Sequence, residues 1–152
     1  MKHLAVLPVL LTLATAAHAG GQETRDCDFK LKNGCFGGGA RVTLANGAVT
    51  RVEVDIVCCN RQRGAPGYTC TIDSSRDDGE STWSEDAGAT LIANASPFNP
   101  DRPDRVKVTV GRDVTIDLNE AQSAGRCGAG AELPQTIVIP AQGKTCRVRL
   151  GD

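Results

Sequence analysis

Histidine is missing from most of this chain. Its two copies, His3 and His18, fall within the first nineteen residues, and so does the one methionine. Beyond that point the commonest general base and metal ligand is gone. Serine–histidine and cysteine–histidine catalysis and mixed Cys/His zinc sites are thereby excluded. Aromatic residues are scarce: Phe29, Phe36, Tyr68, Trp83 and Phe98 are all there are. The core must therefore come from Val, Ile, Leu and cystine. No charge of one sign dominates either. After residue 19 there are 16 basic and 18 acidic residues, a net charge of −2, which gives no reason to expect nucleic acid as a partner.

Long apolar runs are also absent. The one candidate, Leu4 to Ala17, is broken by Pro8 and is shorter than the roughly 20 residues a membrane span needs. With Lys2 before it and the Ala17-His18-Ala19 ending after it, it reads as a secretory signal cut after residue 19. Residues 20–152 then form a single exported β-domain of 133 residues, periplasmic or secreted, with no membrane insertion.

What the chain does have is alternation, the period of half-buried strands. Cys27 and Phe29 share one phase, as do Val42 and Leu44, then Val52, Val54, Ile56 and Cys58. Tyr68, Cys70 and Ile72 continue the series, followed by Leu91 and Ala93, then Val106, Val108 and Val110. Val114, Ile116 and Leu118, then Ile137 and Ile139, and finally Cys146, Val148 and Leu150 complete it. These runs predict an all-β fold, a small antiparallel sandwich or barrel of about nine short strands. One short helix is predicted near 119–125, with Asn119 as cap and Gly125 as stop. The segment "SSRDDGESTWSEDAG" reads as a loop, and no internal repeat is visible.

Two turns follow from parity. A three-residue Ala45–Gly47 connection, pairing Leu44 with Ala48 and Val42 with Thr50, would keep Val42, Val52 and Val54 on one face, with Gly47 at positive φ, because a one-residue slip flips every side chain. The same argument predicts a three-residue loop at 111–113, pairing Val110 with Val114.

Seven cysteines, Cys27, Cys35, Cys58, Cys59, Cys70, Cys127 and Cys146, in a small exported chain read as a disulfide framework. No C-x₂₋₄-C knuckle or thioredoxin-like C-x-x-C occurs, so metal and redox readings are set aside. Strand phase predicts Cys70 with Cys58 or Cys59, Cys127 with Cys146, and Cys27 with Cys35. An odd count leaves one thiol, assigned to Cys58 or Cys59, either buried and inert or able to link a dimer.

The candidate binding residues are Trp83 and the acids around it: Asp77, Asp78, Glu80, Glu85 and Asp86. Counted from Asp73, the stretch fails the calcium-loop template, since its sixth position is Asp78 rather than glycine. No metal or other cofactor is expected. Two readings remain for Trp83. It is an aromatic anchor in an acidic recognition loop suited to a basic exported protein, or it folds back as a plug on the sandwich. The sequence points to a non-enzymatic exported binding protein of the cell envelope, such as an inhibitor of a secreted wall-lytic hydrolase. The alternative is an envelope structural or assembly protein acting through a strand edge or an intermolecular disulfide. A carboxylate-based hydrolase ranks behind both.

Overall fold

The structure, a computed structural model, describes residues 21–30, 36–60, 65–127 and 133–151. Strands β1 (Gln22–Lys30), β2 (Phe36–Ala45), β3 (Ala48–Asn60) and β4 (Ala65–Ser75) form a four-stranded antiparallel meander. Strands β5 (Ser81–Asp86), β6 (Ala89–Asn94), β7 (Arg105–Val110), β8 (Val114–Asp117), β9 (Thr136–Ile139) and β10 (Arg147–Arg149) form a six-stranded one, ordered β10-β9-β8-β7-β6-β5. The two sheets face each other as a small sandwich. The predicted signal sequence, Cys35 and the side chains of Cys58 and Cys59 lie outside the described residues.

Alternation builds the core. Val42, Val52, Val54 and Ile56 from the first sheet meet Ile92, Val106, Val108, Ile116, Ile137 and Ile139 from the second in one buried cluster. Strand β6 takes the opposite phase to the one predicted. Its run "ATLIAN" alternates either way, and the register of Ile92 with Val106 puts Ile92 inside, leaving Leu91 and Ala93 half-buried on the other face. Residues 81–86, expected to be loop, pair with β6 as a tenth strand.

The β2–β3 turn corrects the parity argument in an instructive way. The connection is a two-residue Asn46–Gly47 turn, with φ of 53° and 80°, the left-handed pair that matches strand twist. Leu44 faces Val49, yet Thr43 faces Arg51 and Val42 faces Val52. Thr50 is the extra residue of a β-bulge, which restores the phase that a short turn alone would have lost. The common face and the positive φ of Gly47 were read correctly; the device that achieves them was not. At 111–113 the predicted three-residue loop is present, pairing Val110 with Val114 and Val108 with Ile116.

The glycine run of β2 has a packing cause. A Cβ on Gly38 would sit 1.8 Å from the carbonyl oxygen of Asp55 and 3.0 Å from the Phe29 ring. Only glycine lets β2 and β3 approach this closely.

Among the described residues two disulfides staple the sandwich, with partners other than those predicted. Cys27 bonds Cys146, and Cys70 bonds Cys127. The register explains the first. Asp28 donates its N–H to the Lys144 carbonyl and accepts from Cys146 N–H, so the chain before β10 runs along the edge of β1 and delivers Cys146 to Cys27. Helix α1 (Ser123–Cys127) forms later than the expected 119–125 and packs on β4, carrying Cys127 to Cys70. Cys70 faces Ile56, and Cys58 faces Tyr68, so the neighbouring strand offers Cys70 no sulfur directly opposite. Asn119 does not cap the helix; its N–H and side-chain amide both donate to Asp117. The bridges fit an oxidising compartment. Among the described residues no helix is long and apolar enough to cross a membrane.

Candidate functional site

The structure separates the six predicted binding residues. Trp83 lies on the inner face of β5, opposite Ile92, half-buried and packed against the core. The Arg76 guanidinium sits over its ring, 4.9 Å from the centroid. The same arginine pairs with Glu85 and donates from Nε to the Val49 carbonyl at 2.7 Å. Its backbone N–H donates to Thr50. Thr90 donates its hydroxyl to the other oxygen of Glu85 at 2.9 Å. One arginine thus clamps the β3 bulge, the indole and β5 together, and covers the ring where the narrower sheet ends.

Asp78 closes the β4–β5 turn. Its carboxylate accepts from the N–H of Ser75 at 2.8 Å and of Glu80 at 2.9 Å. These backbone bonds, Ser75 first, hold its pKa below the ordinary carboxylate value. Asp77, Glu80 and Asp86 are exposed. Of these, Asp77 turns towards a different feature, the outer face of the four-stranded sheet.

That face carries an open groove of about 590 Å³, lined by Thr24, Asp26, Arg41, Arg51, Glu53 and Asp77 among others. Its centre is an ion-pair lattice set by register. Glu53 and Asp73 stand directly opposite each other, a repulsive pairing on its own. Arg51 resolves it with two hydrogen bonds to Asp73, at 3.0 and 2.7 Å, and a contact to Glu53 at 3.3 Å. The hydrogen bond to Asp73 and then the charges of Asp73 and Glu53 hold Arg51 above its ordinary pKa. Asp28 and Asp55 extend the acidic side of the lattice, and Thr71 donates its hydroxyl to Asp55 at 2.8 Å.

Sequence reasoning missed a third assembly, around the loop 95–104. Asp104 is fully buried and pairs with Arg126, whose side chain is 10% exposed, at 2.8 Å. The same carboxylate accepts from Gln122 N–H at 2.9 Å and from the Asn94 amide at 3.1 Å. The Gln122 amide spans the loop from within. It donates to the carbonyls of Asn99, Arg102 and Pro103 and accepts from Asn99 N–H. Phe98 rides on this framework at 70% exposure, against Gly125, where a Cβ would come within 2.5 Å of its own. Beside it lies a hollow of about 460 Å³, lined by Asn99, Arg102, Glu120, Gln122 and Ser123 among others. The available signal was weak: a lone glutamine after a proline-rich loop. Asn94, which sits in an Asn-x-Ser triplet, spends its amide on Asp104.

Among the described residues no three His, Cys, Asp or Glu side chains come together as a metal site. Comparison with family models, curated proteins and solved structures returns no match to this chain.

Proposed function

We propose that this is an exported, non-catalytic binding protein whose partner is a basic protein met outside the cytoplasm. The observation that carries the reading is the outer face of the β1–β4 sheet: an open groove bordered by Asp26, Glu53 and Asp77, where the two guanidiniums, Arg41 and Arg51, are already engaged by Glu53 and Asp73, Asp26 holds the exposed Lys144, and Asp77 has no ion-pair partner among the described residues. Such a face attracts cations and steers their approach, and the stapled strands beneath it hold it in shape. The leader at residues 1–19 and the two disulfides support export. The lack of histidine after His18 supports a role without catalysis. A secreted wall-lytic hydrolase of basic charge has the right chemistry, and the protein acts on it as an inhibitor.

Surface plasmon resonance against a basic wall-lytic hydrolase, paired with its activity assay, tests this. Binding should weaken as salt rises, and Asp26→Lys with Asp77→Lys should weaken it at least tenfold, the effect of reversing charges at a steered interface. Binding that ignores both salt and the charge reversals would overturn the reading. A second reading, assembly through strand edges, is favoured by the charges at the two ends of the larger sheet.

A further inference from the structure

The six-stranded sheet ends differently on its two sides. Strand β5 closes one side with Ser81–Asp86, bearing Glu85 and Asp86 and preceded by Glu80. Strand β10 closes the other with Arg147-Val148-Arg149, preceded by Lys144. One edge is acidic and the other basic; Glu85, Lys144 and Arg147 are held within the chain by Arg76, Asp26 and Asp113, so Glu80, Asp86 and Arg149 are the charges each edge offers outward.

Both edges have unmet backbone. The two-residue Ala87–Gly88 turn, with φ of 46° and 80°, fixes the ladder so that Thr82, Ser84 and Asp86 bond to β6. The N–H and C=O groups of Trp83 and Glu85 then point away from the sheet. On the outer side, Cys146 just before β10 donates its N–H to Asp28 of β1; beyond it, among the described residues, no backbone hydrogen bond reaches β10 from outside, so the N–H and C=O of Val148 are what this edge offers. The smaller sheet is protected by contrast: residues 144–146 bond to the edge of β1 at Asp28, and α1 lies beside β4, tied to it through Cys70–Cys127.

We infer that β5 of one copy adds to β10 of another, extending the six-stranded sheet head to tail into a second copy of this chain. Strand direction permits it. With every neighbour antiparallel across six strands, β5 and β10 run oppositely, so a copy placed alongside without rotation presents an antiparallel partner. Face parity permits it too. Trp83 and Val148 both belong to the inner face, next to Ile92 and Ile137, while Asp86, Arg147 and Arg149 share the outer face. Asp86 and Arg149 have no ion-pair partner among the described residues, so each is available to the other.

The charges also select against wrong pairings. Two β5 edges would bring acids together and two β10 edges would bring arginines together, leaving the unlike combination as the favourable one. A contact of this kind does not close on itself and builds open chains. It uses the larger sheet and leaves the acidic groove of the smaller sheet free, so it stands apart from the binding reading above.

Sedimentation velocity on the purified protein, from about 1 μM to about 1 mM, reads the association constant directly. The wild type should form a concentration-dependent ladder of species that recedes with salt. Asp86→Lys and Arg149→Asp should each raise the dissociation constant about tenfold, with unchanged melting because both residues are exposed. Mixing the two variants should restore association, since each reversed edge then meets its complement. A monomer at every concentration would overturn the inference. So would a salt-insensitive closed dimer, or a mixture no more associated than its parts.

Discussion

Trp83 and Phe98 are both aromatic residues set in polar, turn-rich sequence, and the fold treats them in opposite ways. Trp83 falls on the inner phase of β5, so pairing with β6 turns it to the core, and Arg76 covers what the smaller sheet leaves bare. Phe98 belongs to no strand. Gly125 lies against its Cβ, and the hydrogen bonds of Gln122 hold the surrounding loop, so the ring stays in water. Burial here follows from cross-strand register in one case and from loop bracing in the other, and side-chain hydrophobicity decides neither.

The sharpest way to break the comparison is to remove the brace under Phe98. Arg126→Ala leaves Asp104 buried and charged without its partner, and should cost about 3–5 kcal/mol of folding stability by denaturant unfolding. Trp83→Ala removes a ring that only half leaves water, and should cost about 2–4 kcal/mol. Phe98→Ala at the opposite pole should change stability by less than about 0.5 kcal/mol. Equal costs for the two aromatic truncations would show that the rings are not held in opposite ways. Tryptophan fluorescence gives a second measure: emission should be blue-shifted, and Arg76→Met should raise its accessibility to quencher.

Smaller effects sharpen the account of the β5 hairpin. Ala87 holds φ of 46°, a conformation that costs an L-residue about 1 kcal/mol, so Ala87→Gly should stabilise the protein by about 0.5–1 kcal/mol in thermal unfolding. The turn before β5 should carry a pH signature. Backbone donors depress the Asp78 pKa in the folded state, so the unfolded chain binds the extra proton. The stabilisation is complete above the ordinary carboxylate pKa and is lost as pH falls through the depressed one. Asp113 behaves alike, its pKa lowered first by the Ala141 N–H and then by Arg147. Melting temperature measured down the acid limb should fall less steeply in Asp78→Asn than in the wild type.

Much of the sandwich was legible because strand phase is a local property. Val52, Val54 and Ile56, or Val106 and Val108, show their inner face in any alternating window. The β6 phase was not legible, since Leu91 and Ile92 are equally apolar and the choice rests on β7 across the ladder. The bulge at Thr50 was not legible for a related reason: a short turn corrected by an extra residue satisfies the same parity as a three-residue turn. Disulfide partners depended on where the ends of the chain return. Nothing near Cys146 announces that it runs beside Cys27, and nothing near Cys127 announces β4. Of the candidate site, the acids were visible as composition. Their division among a turn closure, an arginine clamp and an open groove depends on β5 being a strand.

The Cys27–Cys146 bridge has a mechanical consequence. It joins positions 119 residues apart and encloses nearly the whole sandwich within one covalent ring. A pull applied at residues 21 and 151 would straighten only the short tails outside that ring, about 40 Å of chain at the fully extended rise, against about 250 Å if this bridge alone were cut, because Cys70–Cys127 would still bypass 57 residues. Once the start of β1 and strand β10 have peeled away, tension between the two ends passes through the cystine and bypasses the rest of the sheets, so the protein behaves under load as a nearly inextensible link until it is reduced.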